Sequence, residues 1–337
     1  MQLAHRGGAG FRLQRRNNVQ KVLISPSSFG QCGTEPLDLL TKAGFEPIVN
    51  PYGRRLTAEE VVGLAHECVG IVAGLEPLDR EVLDQLPSLR CISRVGVGMD
   101  NVDLQTAAAK GVEVRNTPDG PTQAVAELAL GLTLALLRRI PQADRNLRDG
   151  IWQKEMGSLL HEKTVGVVGL GRIGRRVAEL FLALGCVVVA TDPIADHDWL
   201  KNHSVSLIPL NDLLSRSDII TLHLAHEPGA GPVIGVEEIH RMKKTAYLIN
   251  TARGEVLDEE ALYNALNEQR IRGAAFDVFR VEPYHGPLIE LDNIILTPHL
   301  GPYAREGRLR MEVAAVQNLL NVLLSENEVF GRSGDET

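Results

Sequence analysis

Thr164-Val165-Gly166-Val167-Val168-Gly169-Leu170-Gly171-Arg172-Ile173-Gly174 is the stretch on which the fold turns. An apolar, β-branched run ends in Gly169-x-Gly171-x-x-Gly174, and a helical pattern follows at once from Arg175 to Leu184. Strand, glycine turn and helix in that order raise the glycine pattern above a chance match. Gly169 permits a tight turn, Gly171 lets the backbone approach a pyrophosphate, and Gly174 lets the helix pack close to the strand. The helix N-terminus adds free N–H groups and the positive end of its dipole.

A second strand, Cys186 to Ala190, ends in Thr191-Asp192-Pro193. A carboxylate about 20 residues past the glycines is placed to accept both hydroxyls of an adenosine ribose and to repel a 2′-phosphate. The expected cofactor is therefore NAD rather than NADP.

The chain has 337 residues, more than one typical domain, so two domains of about 150 to 190 residues are expected. Hydrophobic residues make up 44% and charged residues 23%, the balance of a globular protein. Aromatics are scarce, so the core must be built from Val, Leu, Ile and Ala. A formal charge of −8 without a basic face argues against a nucleic-acid partner. Cys32, Cys68, Cys91 and Cys186 show neither CxxC nor metal spacing, so no metal is expected and a reducing, cytoplasmic setting fits. No apolar run is long enough to cross a bilayer, so no membrane partner is expected either. Met1 to Asn18 is basic and Gly/Arg-rich, without a signal-peptide core, and reads as a mobile extension.

From Val19 strands and helices alternate. Strands are expected at Lys21–Ile24, Pro47–Asn50, Val69–Ala73, Arg90–Ser93 and Val112–Arg115. Helices fall between them, one opened by Thr57 with Glu60 three residues on, a capping box. Strands separated by helices imply a parallel sheet covered on both faces. Thr122 to Ile140 follows, apolar almost all round, a helix that must be buried on most faces, between domains or at a subunit interface. Six further strands are expected, at Val165–Val168, Cys186–Ala190, Ile219–His223, Ala246–Ile249, Gly273–Phe276 and Ile294–Thr297. A long amphipathic helix, Tyr303 to Leu324, is placed to return to the first domain. The fold class is α/β with two open parallel-sheet domains. A flavodoxin-like substrate domain (residues 19–117 plus 299–337) carries an inserted Rossmann dinucleotide-binding domain (residues 118–298), and the two connections suit hinge closure.

Ligands of open α/β sheets bind beyond the carboxyl ends of the strands. In the second domain the polar residues there are His223, Arg253, Asp277, Glu282 and His299. An Arg fork grips a carboxylate bidentately. A Glu beside a His fixes its tautomer and favours imidazolium. Such a His donates a proton to a ketone oxygen as hydride arrives and takes it back in reverse. Each residue alone has a bland reading as a turn or solvent-facing group. Together, at strand ends beside a dinucleotide site, they point to catalysis.

Gly96-Val97-Gly98-Met99-Asp100-Asn101-Val102-Asp103, GLGRIG, Asp192-Pro193, NTARG (Asn250–Gly254), FDVFRVEP (Phe276–Pro283) and LTPHLG (Leu296–Gly301) carry a resemblance to the D-isomer-specific 2-hydroxyacid dehydrogenases, within them to the D-3-phosphoglycerate dehydrogenase group. It covers nearly everything from Val19 to Leu324. The resemblance implies Arg253 as carboxylate clamp and carbonyl polariser, Glu282 as the histidine's partner and His299 as acid/base. It implies that Arg172 and Ile173 meet the pyrophosphate through backbone N–H groups. Thr251, Ala252, Asp277 and Gly301 would border the nicotinamide, with His223 on the cofactor's edge. Gly96, Val97 and Gly98 would offer N–H groups to the substrate carboxylate, with Asn101 nearby. A homodimer through the long-helix region is implied as well.

There are departures from that pattern. Ala73-Gly74-Leu75-Glu76-Pro77 lacks the arginine that phosphoglycerate enzymes often carry after this strand; Arg54, Arg55, Arg138 and Arg139 are candidates to supply the charge. Leu224 to Gly231 is glycine-rich where the family has a Leu-Pro-Leu-Thr-Pro segment. The resemblance is to a short form, so serine feedback is not expected. Glu282, where formate dehydrogenases pair the His with Gln, argues against that activity. The expected function is NAD-linked interconversion of a D-2-hydroxyacid and its 2-oxoacid, with 3-phosphoglycerate or a similar anion first. Hydroxypyruvate or glyoxylate reduction is the alternative, and an NAD(H)-sensing corepressor-like interaction protein the alternative of another class.

Overall fold

The computed structural model describes residues 19–226 and 229–331, with side chains up to Ser325. The extension read from Met1 to Asn18 lies outside the described residues. Compactness divides the chain into two units, residues up to Asn116 with Glu312 onward, and Thr117–Met311.

In the first unit β1 (Lys21–Ile24), α1 (Glu35–Lys42), β2 (Glu46–Val49), α2 (Ala58–Ala65), β3 (Cys68–Ala73), α3 (Arg80–Asp84), β4 (Cys91–Arg94), α4 (Leu104–Ala109) and β5 (Glu113–Arg115) alternate strictly. The sheet is parallel in the order β2-β1-β3-β4-β5, the flavodoxin-like arrangement. Helix entries are fixed by local chemistry. Thr57 and Glu60 close the capping box of α2, while the Asp79 and Asp103 carboxylates accept first-turn N–H groups of α3 and α4. Leu23, Ile71 and Ile92 then bury one sheet face against Val61, Val82 and Leu83.

The second unit holds α5 (Thr122–Arg138), α6 (Ile140–Arg148), β6 (Thr164–Val168), α7 (Arg172–Ala183), β7 (Val187–Thr191), α8 (His197–Lys201), β8 (Val205–Leu207), α9 (Leu210–Arg216), β9 (Ile219–Leu222), α10 (Val236–Arg241), β10 (Tyr247–Asn250), α11 (Glu259–Asn267), β11 (Gly273–Phe276) and β12 (Ile294–Leu296). Its parallel sheet runs β12-β11-β10-β9-β6-β7-β8. Chain order reverses between β6 and β9, so the glycine turn after β6 opens at the topological switch point. The sheet has seven strands rather than six. The extra one, β8, is a short half-exposed edge with little apolar pattern to announce it. The long apolar helix runs as expected but ends at Arg138 rather than Ile140, and a second helix, α6, follows it directly. Arg139 takes a left-handed conformation (φ 50°) between α5 and α6, and Pro141 starts the second helix. Ala126, Ala129, Leu132 and Leu136 of α5 pack with Val165, Val177 and Phe181, so this helix covers its own unit's sheet.

A last helix, α12 (Arg305–Gly331), belongs to the first unit from Glu312 onward, where Leu319 and Leu323 lie against Gly70. Residues 299–311, assigned from sequence to the first domain, fall in the second unit. The cause is tertiary: Asp277 holds the Leu300 and Gly301 N–H groups, and Met311 packs directly over Gly120. Among the described residues no helix is long and apolar enough to cross a membrane, and no group of His, Cys, Asp or Glu is arranged to hold a metal.

Candidate active site

The turn after β6 is built as its glycines require. Gly169 has φ 95°, open to glycine and strained for most side chains. A Cβ on Gly174 would lie 1.9 Å from the Gly169 carbonyl oxygen, so helix and turn touch. A Cβ on Gly171 would meet nothing within 4 Å, and no side chain caps the helix there. The first-turn N–H groups of α7 therefore face an open approach, with Ile173 half-buried behind them. Arg172 turns its guanidinium to Asp119 at 2.9 Å, leaving its backbone as the part that faces the turn.

Asp192, at the end of β7, accepts the Leu170 N–H through Oδ2 (2.6 Å) and the Ile194 N–H through Oδ1 (2.7 Å), with Pro193 exposed between them. His223, after β9, shares a 2.8 Å hydrogen bond with Thr221 through Nε2, while its Nδ1 is sealed from solvent without a protein partner. Burial pushes this imidazole down to about 3, so it is neutral at physiological pH. Thr251, buried after β10, leaves its hydroxyl without a protein partner, and Ala252 beside it is buried too. Buried polar atoms of this kind are open to a bond from a ligand. An open approach at Gly171, an acid at Asp192 and an orphaned hydroxyl at Thr251 fit NAD.

Three neighbouring strand ends carry the candidate catalytic side chains. After β10, Asn250 folds its amide back to accept the Ala252 N–H (3.0 Å) and donate to the Arg253 carbonyl (2.8 Å), which fixes the backbone under the guanidinium. Gly254 leaves no room for a Cβ, which would meet Phe279 at 2.1 Å, so the loops after β10 and β11 are pressed together. In the second loop Glu282 accepts the Phe279 N–H through Oε1 (3.1 Å) and meets His299 Nδ1 through Oε2 (3.0 Å). Burial would push the Glu282 carboxyl up. The His299 bond and charge, the Phe279 N–H and the nearby Arg253 charge outweigh it and hold the group below the usual range.

His299 itself sits at φ 54°. Non-glycine residues seldom hold such a conformation unless the surroundings impose it. Here Asp277 imposes it. Its Oδ1 accepts the Thr297 hydroxyl (2.6 Å) and the Leu300 N–H (2.7 Å), its Oδ2 accepts the Gly301 N–H (2.7 Å), and its carbonyl accepts the His299 N–H (2.8 Å). Burial pushes the Asp277 carboxyl up against the pull of these bonds.

Arg253, Glu282 and His299 are thus brought together within one unit. The Gly96, Val97, Gly98 and Asn101 group lies in the other and is described with it. Gly96 has φ 141° and Val97 is exposed, its carbonyl accepting the Asn116 amide at 2.7 Å. Asn101 spends its amide donors on the Glu76 (2.6 Å) and Gly74 (3.3 Å) carbonyls, tying this turn to the loop after β3. Arg54 is committed to Glu60 in a two-pronged pair (2.7 and 2.9 Å) and stacks on Tyr52. Arg139 pairs with Glu155, while Arg55 and Arg138 are exposed. Thr297 and Asn250 join the site as supporting residues that the sequence motifs do not single out. A polar residue at a strand end one or two positions from a catalytic candidate is the signal for both. Burial raises the Cys68 and Cys186 thiols to about 11, so neither is a nucleophile.

Residues 130–301 match the family described as D-isomer specific 2-hydroxyacid dehydrogenase, NAD binding domain. The chain is 40% identical over 282 residues to a D-3-phosphoglycerate dehydrogenase of Methanocaldococcus jannaschii, covering 81% of this chain and 54% of that protein, so it spans about half that relative's length. It is 38% identical over 279 residues to a glyoxylate reductase of Korarchaeum cryptofilum, covering 80% of this chain and 83% of that protein. The TT0316 protein of Thermus thermophilus has a solved structure that superposes with a TM-score of 0.83 at 35% identity, over 91% of this chain and 97% of that one. With this site and these likenesses, the chain belongs to the D-isomer specific 2-hydroxyacid dehydrogenase family and carries that family's NAD-binding domain.

Proposed function

We propose that this protein is an NAD-dependent oxidoreductase that interconverts a D-2-hydroxyacid and its 2-oxoacid. The observation that carries the reading is the 3.0 Å contact between His299 Nδ1 and Glu282 Oε2, beside Arg253. Bound NAD supplies the hydride acceptor, or as NADH the donor. Gly169, Gly171, Gly174 and the Arg172 and Ile173 N–H groups hold its pyrophosphate, Asp192 and Pro193 its adenosine end, and Thr251, Ala252, Asp277 and Gly301, with His223 at the edge, its nicotinamide end. The Arg253 fork binds the substrate carboxylate and polarises the adjacent carbonyl. Glu282 fixes the imidazole so that Nε2 of His299 is the atom that gives a proton to the carbonyl oxygen or takes it from the hydroxyl. Gly96, Val97 and Gly98 are proposed as further N–H donors to the carboxylate, with Asn101 bracing their turn.

3-Phosphoglycerate is the first substrate to test. A second reading, a short unphosphorylated 2-oxoacid such as glyoxylate or hydroxypyruvate, has a specific observation in its favour. Arg54, a candidate for a distal phosphate, is already paired with Glu60, and the loop after β3 turns the buried Glu76 carboxylate onto the Gly74 N–H. NAD(H)-linked turnover across 2-oxo and 2-hydroxy acids, with and without phosphate, decides between them. Absence of turnover with all of them overturns the enzyme reading in favour of an NAD(H)-sensing interaction protein.

A homodimer is also proposed. Trp152 (81% exposed), Met156 (92%) and Leu159 (76%) follow one another on the segment after α6, an apolar surface suited to a second copy. Sedimentation of the chain and of Trp152→Glu tests it. A monomeric wild-type protein overturns it.

A further inference from the structure

Leu170, the buried residue between Gly169 and Gly171, is gripped at both ends of its backbone. Its N–H donates to Asp192 Oδ2 at 2.6 Å, and its carbonyl accepts Nε of Arg175 at 2.8 Å. The same guanidinium donates through Nη1 to Asp196 Oδ2 at 2.9 Å and lies over the Trp199 ring, 5.7 Å from its centre. Asp196 is anchored in turn, because its Oδ1 accepts the N–H groups of Asp198 and Trp199 and caps α8. Trp199 stacks on His203 at 4.1 Å. A continuous chain of contacts therefore runs from the middle of the glycine turn to the helix that follows β7.

The consequence follows from peptide geometry. The Leu170 carbonyl and the Gly171 N–H belong to one planar trans peptide and point in opposite directions. Holding the carbonyl toward Arg175 aims the Gly171 N–H away from it. Without that hold, nothing fixes the orientation of this peptide directly: the bonds on either side of it, from the Leu170 N–H to Asp192 and from the Arg175 N–H to the Gly171 carbonyl, hold its neighbours, and the space in front of the Gly171 Cα is open. We propose that Arg175 is a positioning residue for cofactor binding, setting the Gly171 N–H for the dinucleotide pyrophosphate, with Asp196 as its anchor. The role rests on the NAD reading above. It needs a fork that reaches two acceptors at once, which a lysine ammonium on a flexible stem does not reproduce.

The test measures binding by the full-length chain, with NADH fluorescence for the cofactor and competition by ADP and by adenosine. Arg175→Met, which keeps the packing on Trp199, is expected to weaken NADH and ADP by about ten-fold, as loss of a charge-assisted hydrogen bond does. Adenosine, which has no phosphate, is expected to bind as before. Arg175→Lys is expected to keep most of the defect. Asp196→Asn, still a good helix cap, is expected to show a smaller loss of about three-fold with an unchanged melting temperature. Unchanged NADH affinity in Arg175→Met, or equal weakening of adenosine and ADP, overturns the positioning role. Failure of the wild-type chain to bind NADH at all overturns the NAD reading itself, a separate outcome.

Discussion

Nδ1 of His299 and Oε2 of Glu282 lie 3.0 Å apart although the histidine occupies a left-handed backbone conformation, with φ 54°. The contact occupies Nδ1 and leaves Nε2 for the proton transfer proposed above, and the unusual backbone lets a clean substitution be chosen. Asparagine tolerates this conformation better than most residues and is shorter than histidine. His299→Asn is therefore expected to fold and to keep its NADH affinity, with its melting temperature lowered no more than that of Glu282→Gln, while kcat falls by roughly 10²–10⁴-fold. Stopped-flow and fluorescence titration measure the two halves. Turnover close to wild type removes the acid/base role from His299.

Glu282 gives the same contact a signature in stability. Its folded carboxyl is held below the usual range by His299, the Phe279 N–H and Arg253, against the upward push of burial. A depressed acid contributes stability at pH values above its unfolded pKa and loses it as pH falls through the folded one. The melting-temperature gap between wild type and Glu282→Gln is expected to be constant above about pH 5.5 and to shrink below about pH 4. A gap that persists unchanged to acid pH assigns the difference to packing instead.

Much of this was legible in the chain because the signals are local. The glycine spacing fixed the turn after β6, and Thr57 with Glu60 marked a helix start that the structure shows as a complete capping box. Glu282 and His299, seventeen residues apart, were paired by the rule that ligands gather at strand ends, and the structure joins them. What escaped is what tertiary contacts decide. β8 is too short and too exposed to show a strand pattern. α6 has no buried residue and so no core-facing stripe to announce it, although Pro141 is a cue to its start. The reach of the second unit to Met311 depends on Asp277, whose bonds to Leu300 and Gly301 cross more than twenty residues of sequence.

Asp277 carries a prediction of its own. Its carboxylate satisfies the Thr297 hydroxyl and two backbone N–H groups in a buried setting. Asp277→Ala strands all three donors, a change expected to cost about 3 kcal/mol or more of stability. It also releases the turn that presents His299, so kcat is expected to fall even where the variant remains folded. Urea unfolding and turnover at low temperature measure the two effects together. A variant with wild-type stability and lowered activity alone limits Asp277 to ligand contact.

The glycine turn separates space needed by the fold from space needed by a ligand. A methyl group on Gly174 would sit 1.9 Å from the Gly169 carbonyl oxygen, so Gly174→Ala must push α7 off the turn. It is expected to lower the melting temperature and NADH affinity together. A methyl group on Gly171 meets nothing within 4 Å, and the residue's φ of −66° suits any amino acid. Gly171→Ala is therefore expected to leave the melting temperature within about 2 °C, since nothing in the fold resists it. NADH affinity should nevertheless drop by ten-fold or more, because the methyl occupies the approach that the pyrophosphate requires. Thermal melts and NADH titration of the two variants, run side by side, check the contrast. Equal NADH affinity in Gly171→Ala and wild type would mean that the opening in front of α7 is not where the dinucleotide rests.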